Sequence, residues 1–255
     1  MKNNLSLLIF LLLISPNLFA QSGFITEETT KASFKMGSME SSVYKHFSEN
    51  TYYSKMDFSF KGKGLARLMS RDLENGTIIS FQDSTIININ HKKNRFTKKL
   101  LSQILEEKES ESENESENES ENENQEDGNP EEESFIPIIS DNLELVNGFE
   151  SYKVTLSEDD NSNQNVWVTS TARKSIIVKS MQSRIDEFER NWVNFDGNFS
   201  ELGIDQDVII VKAVFSDEEG GSFEYNLNVY APTDSLPTMF EVPQDYKKVK
   251  KLKMF

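Results

Sequence analysis

The residue types that most often carry chemistry are sparse in this chain. Its 255 residues include two histidines, His46 and His91, and no cysteine. Without cysteine there are no thiolate zinc sites, iron–sulfur clusters, disulfides or cysteine nucleophiles. The two histidines have no spacing relation to each other that matches a metal site, and no Gly-x-Ser-x-Gly elbow accompanies them. Asp159-Asp160-Asn161-Ser162-Asn163 opens like a calcium loop, but Gln164 stands where the glycine belongs and Ser170 where the closing glutamate belongs, so a polar hairpin loop is the reading. Gly62-Lys63-Gly64 is spaced like the start of a phosphate-binding turn, yet Arg67 occupies the third glycine position, which leaves a strand-to-helix turn. No catalytic residue, metal ligand or cofactor is therefore assigned.

Apolar side chains offer more. Ile177, Met181, Ile185, Phe188 and Trp192 recur at helical spacing within Lys174 to Trp192 and make one stripe of an amphipathic helix. Ile209, Val211, Ala213 and Phe215 alternate on one strand, and Phe223, Tyr225, Leu227 and Val229 on the next, joined through Glu218-Glu219-Gly220-Gly221. A sheet with faces like these covers something or is covered. The chemistry they suit is burial of apolar surface, with Met181, Ile185, Phe188, Trp192, Phe215, Phe223, Tyr225 and Leu227 as the candidate ligand-binding residues. Such a helix stripe is ordinarily core; over a curved sheet it can also be a lid, and in the carrier reading Met181, Ile185, Phe188 and Trp192 are expected to act as a movable lid over an apolar groove.

Elements that would position these residues follow from alternation and turn signals. From Gly23 to about Arg95, strand follows strand: Tyr52, Met56, Phe58 and Phe60 share one face, and Ile87 and Ile89 repeat the pattern. Glu49-Asn50, Asn75-Gly76, Asp83-Ser84 and Lys93-Asn94 mark turns between them. Short helices are expected at Leu65 to Leu73 and Lys98 to Glu107. Beyond Phe135 the chain is ordered again, with Val154 and Leu156 facing Val166 and Val168 across a polar loop.

Charge is unevenly spread. Asp and Glu number 43 against 27 Lys and Arg, a net charge of -16, and residues 106–133 hold 15 of the acids with one lysine. Such a balance argues against sequence-independent nucleic-acid binding, which needs lysine and arginine to replace phosphate counterions. The tract 109–124 alternates glutamate with serine and asparagine, and like charges meet in it whether it is strand or helix. Residues 106–133 are expected to be a disordered, low-complexity acidic insert, either a loop tip in a single β-rich domain spanning 21–255 or a linker, and a docking point for a protein partner. Lys247, Lys248, Lys250, Lys251 and Lys253 form an opposite pole, suited to anionic headgroups or to keeping a terminal strand soluble.

At the N-terminus Lys2 precedes an apolar run from Leu5 to Ile14, followed by Ser15-Pro16-Asn17-Leu18-Phe19-Ala20. That is the pattern of a secretory signal peptide covering residues 1–20 with cleavage after Ala20. The run is too short to span a bilayer, and no later segment does so in the mature chain. A periplasmic or secreted location is expected.

Three segments carry a family resemblance: Val146-Asn147-Gly148-Phe149-Glu150-Ser151-Tyr152-Lys153, then Val166-Trp167-Val168-Thr169, and Phe240-Glu241-Val242-Pro243-Gln244-Asp245-Tyr246-Lys247 near the end. Behind a signal peptide and successive hairpins they resemble a secreted bacterial domain-of-unknown-function family with the LolA-like, lipoprotein-carrier-like architecture. The resemblance implies an α+β fold, a curved antiparallel β half-barrel with a few helices packed on one face. In carriers of that architecture the apolar concavity holds acyl chains. It therefore implies a non-enzymatic protein whose partner is a lipid or an acylated protein. The alternative is an envelope interaction or scaffold protein with a closed core and no small-molecule ligand.

Overall fold

The computed structural model describes residues 23–116, 138–156, 163–186, 188, 208–217, 219–234 and 240–252. The signal peptide expected at 1–20, the acidic tract from 117 to 133, most of the calcium-like loop, and Trp192 fall outside these residues.

Six strands form a first meander: β1 (Gly23–Phe34), β2 (Gly37–Ser48), β3 (Thr51–Gly62), β4 (Arg71–Ser80), β5 (Thr85–Asn90) and β6 (Arg95–Leu100). Each pairs antiparallel with the one before. Helix α1 (Leu101–Ser116) continues directly from β6 into the start of the acidic tract, with Lys99 bonded to Glu107 at 2.6 Å. A second meander comprises β7 (Ile138–Val146), β8 (Phe149–Thr155), β9 (Asn163–Arg173), then helix α2 (Ile176–Ile185), β10 (Val208–Ser216) and β11 (Ser222–Thr233). The β7–β8 turn is Asn147-Gly148, both at positive φ, as a two-residue hairpin requires. Pairing of β1 with β11 joins the two meanders, and β12 (Lys247–Lys248) adds in parallel to β6.

The result is one twelve-stranded sheet in the order β12-β6-β5-β4-β3-β2-β1-β11-β10-β9-β8-β7. It overturns the expected α+β half-barrel with helices packed along one face. The sheet is open, with β12 and β7 as its edges, it is mixed rather than wholly antiparallel, and helices are few. Of the two expected short helices, one is reduced to a 3-10 turn and the other forms but starts later, in both cases because strand pairing claims part of the segment. Over Leu65 to Leu73 only Gly64–Met69 winds, as a 3-10 turn, because Asp72 and Leu73 are claimed by pairing with Ser59 and Phe58. Lys98 to Leu100 likewise remain in β6, opposite Thr85 to Ile87, and the helix begins only at Leu101.

Residues paired across an antiparallel ladder share a face. On one face Phe24, Phe47, Tyr52, Ile79 and Ile86 line up across β1 to β5 and are buried at one end of the sheet. Met181 and Ile185 of α2 and Leu101 of α1 close over this row, making the main core. Smaller clusters form around Val154, Val166 and Ala213 and around Ile209, Val211 and Leu227. No described helix is long and apolar enough to cross a membrane.

Candidate ligand-binding face

The helix-bearing face changes character along the strands. Two residues on from the buried row come Thr26, Lys45, Ser54 and Thr77, and Lys45 forms an ion pair with Glu28 at 3.0 Å. Both side chains are about one-fifth exposed, and Thr26 donates to the same carboxylate. Beyond this polar belt the face turns apolar again. Val43 and Met56 pair, Phe58 pairs with Leu73, and Met39 pairs with Phe60. Phe34 stacks on Phe60 with ring centres 6.2 Å apart. All seven are half-buried. Among the described residues, the apolar side chains of α1 and α2 cluster with the Phe24 row and not with this second band.

The register also locates the expected site residues. Phe223 pairs with Ala32 and with Phe215, Tyr225 with Thr30 and Ala213, and Leu227 with Glu28, so the strand residues continue the band across β11 and β10. Met181, Ile185 and Phe188 belong to the same face but to its other end, against Phe24 and Phe47. Phe24 and Ala32 are eight residues apart on β1, roughly 27 Å of extended chain. Phe215 and Phe223 therefore lie at the end of the face away from the helix stripe, whereas Leu227, midway along it and 3% exposed, is core in a cluster that shares Tyr230 with the Phe24 group. Met181 and Ile185 are each 1% exposed and are core. Alternation in β3 had already marked Met56, Phe58 and Phe60. Phe34, Met39, Val43 and Leu73 were missed: Phe34 and Met39 fall near a hairpin end, Val43 stands in a strand rich in polar residues, and Leu73 lies in a segment read as helix.

The opposite face is mixed: Ile78 and Ile89 are buried on it near the histidine end, while polar side chains gather behind the apolar band. A groove of about 360 Å³ crosses β10, β11, β1, β2 and β3 behind the apolar band, and its lining includes Lys31, Ser33, Ser38, Ser59, Lys61 and Glu224. At the far end of that face the two histidines lie under the C-terminal arm. Phe240 packs on the His46 ring with centres 5.0 Å apart, and Tyr246 Oη lies 3.0 Å from His91 Nδ1. Burial lowers both imidazole pKa values; for His91 the Lys55 charge adds to this, against Glu74 and Asp57. Gly23 and Gly76 make the room: a Cβ on either would lie 2.6 or 2.7 Å from the Nε2 of His46 or His91. Among the described residues no group of three His, Asp or Glu side chains is arranged to hold a metal ion.

Comparison with known proteins adds little beyond this geometry. No family model matches the chain, and no curated protein does. Among solved structures, PNGF-II in one crystal form aligns over 90% of this chain and 32% of its own, at 9% identity and a TM-score of 0.28. A second crystal form gives 85% and 29% coverage, 10% identity and a TM-score of 0.25. The chain thus spans about a third of that protein's length. A DUF1329 family protein from Desulfovibrio piger ATCC 29098 aligns over 88% of this chain and 91% of its own, at 11% identity and a TM-score of 0.22. Likeness at this level carries no functional argument.

Proposed function

We propose that the chain is a non-enzymatic binding protein that holds an apolar ligand, a lipid or the acyl chain of a modified protein, along the second apolar band of the helix-bearing face. One observation carries the proposal. Val43, Met56, Phe58, Phe60, Met39, Leu73 and Phe34 form a continuous half-buried surface across β1 to β4, separated by the Glu28–Lys45 belt from the part of the face that the helices fill. Methionine and phenylalanine side chains adapt to flexible chains, and burying apolar ligand surface yields about 25 cal/mol per Å². Helix α2 serves as a fixed end wall, since Met181 and Ile185 are locked in the core.

The test is binding of an environment-sensitive apolar dye by the folded chain, followed by displacement with a fatty acid. Phe58→Asp is expected to abolish the dye signal while the thermal transition persists. Retention of binding by a folded Phe58→Asp, Phe60→Asp double variant would show that the ligand lies elsewhere.

A further inference from the structure

A separate feature stands at the end of the sheet where the β1–β2 and β3–β4 connections meet. The backbone N–H of Lys63 donates to the Met36 carbonyl at 2.8 Å, which ties the two connections together. The longer one is well defined. A side chain on Gly62 would run into the Ala66 carbonyl, Gly64 takes the left-handed φ of 57°, and Gly62 N–H donates to Ser70 Oγ at 2.9 Å. This 3-10 turn buries none of its residues. Leu65 and Leu68 are each 91% exposed, Met69 69% and Met36 66%. Leucines held this far into solvent add nothing to the core, and grouped at a protruding tip they mark an interaction site.

Charge selects the partner. No acid occurs from Phe58 to Arg71 in a chain of net charge -16, while Lys63 and Arg67 flank Leu65 in sequence and Lys61 lies at the end of β3, where it also lines the groove of the opposite face. These three make no ion pair among the described residues. A second copy of the chain would set these cations against their own counterparts. The chain's acidic tract at 109–124 offers only glutamate, serine and asparagine, which leave the leucines wet. Apolar side chains projecting from a tip with cations around them match the layering of a bilayer surface, with hydrocarbon beneath anionic headgroups.

We infer that the tip formed by Met36, Leu65, Leu68 and Met69, with Lys61, Lys63 and Arg67 around it, docks the protein on a membrane surface containing anionic phospholipid. The inference is independent of the apolar-ligand reading, because the tip residues lie beyond the β1–β4 band. It is tested by flotation of the full chain with vesicles of phosphatidylglycerol and phosphatidylcholine, compared with phosphatidylcholine alone. Flotation is expected only with the anionic vesicles and is expected to fall with added salt. Lys63→Glu and Arg67→Glu should each weaken it by roughly fivefold or more, and the Leu65→Ser, Leu68→Ser pair should abolish it.

Because the chain has no cysteine, Leu65→Cys accepts a single environment-sensitive fluorophore. Its emission should shift to the blue on adding anionic vesicles. Unchanged emission, or flotation that survives in both the charge and the leucine variants, would overturn the inference and assign membrane contact to the apolar N-terminal run or the lysine-rich end. Loss of flotation in a charge variant that melts normally would support it.

Discussion

The Nδ1 nitrogen of His91 lies 3.0 Å from the phenolic oxygen of Tyr246, a hydrogen bond across 155 residues of chain. Together with the Phe240 ring on His46, it fastens the C-terminal arm to the face of the sheet opposite the helices. Lys247 N–H to the Asn94 carbonyl at 2.9 Å and Val249 N–H to the Phe96 carbonyl at 2.8 Å extend the attachment along β6. The lysine-rich end is therefore a paired edge strand over Lys247 and Lys248.

This arrangement makes stability depend on acid. Burial depresses both imidazole pKa values, so in the native state the rings remain neutral at pH values where the unfolded chain is already protonating. Between the unfolded value of about 6.5 and the lower native values the unfolded state binds more protons. The stabilisation is complete above about pH 6.5 and is lost as pH falls through that window. Thermal midpoints measured from neutral to mildly acidic pH should drop, and the His46→Gln, His91→Gln double variant should show a flatter profile. An identical slope in the double variant would assign the acid sensitivity to carboxylates.

The room left by Gly76 leads to a second expectation. A Cβ there would lie 2.7 Å from His91 Nε2 and 3.3 Å from the Ser54 carbonyl oxygen. Gly76→Ala should cost roughly 1–3 kcal/mol through overpacking and loosen the arm. Denaturant melts, with proteolysis near Tyr246 as a second readout, measure both effects.

Helix α2 is predicted to be a fixed part of the core. Met181→Ala or Ile185→Ala should destabilise by about 2–5 kcal/mol, whereas Ile176→Ala, at a position 84% exposed, should stay within about 0.5 kcal/mol. Chemical denaturation of the three variants decides it. Equal, small effects at all three positions would mean the helix is detachable.

The Glu28–Lys45 pair sits between two apolar regions and is only about one-fifth exposed. Removing one partner takes the close ion pair from a charge that is about four-fifths buried, so Lys45→Met and Glu28→Gln should each destabilise more than the double substitution does. A double-mutant cycle by urea denaturation measures the coupling.

Much of this architecture was legible in the residues. Alternation of Tyr52, Met56, Phe58 and Phe60 marked β3, and the Ile177 to Trp192 stripe marked α2 with its buried face, although the helix ends at Ile185 and Trp192 falls outside the described residues. The joining of the two meanders was not. It depends on β1 pairing with β11, some two hundred residues apart, and no local pattern encodes a long-range partner. The helix expected at Leu65 to Leu73 failed because Leu73 has a cross-strand partner in Phe58, and tertiary pairing outweighed local periodicity. Phe215, Phe223, Tyr225 and Leu227 share a face with the helix stripe, but periodicity gave no distance along that face: Phe223 lies level with Ala32, far from Phe24, while Leu227 is buried midway.

The central claim is that the Met56–Phe58–Phe60 band receives an apolar chain. Native mass spectrometry of the folded chain, purified without detergent and mixed with dodecanoate, tests it most directly. The account predicts a stoichiometric adduct that disappears in Phe58→Asp and persists in Leu65→Ser. A wild-type chain that keeps its unliganded mass over a range of dodecanoate concentrations, while remaining folded, would contradict it.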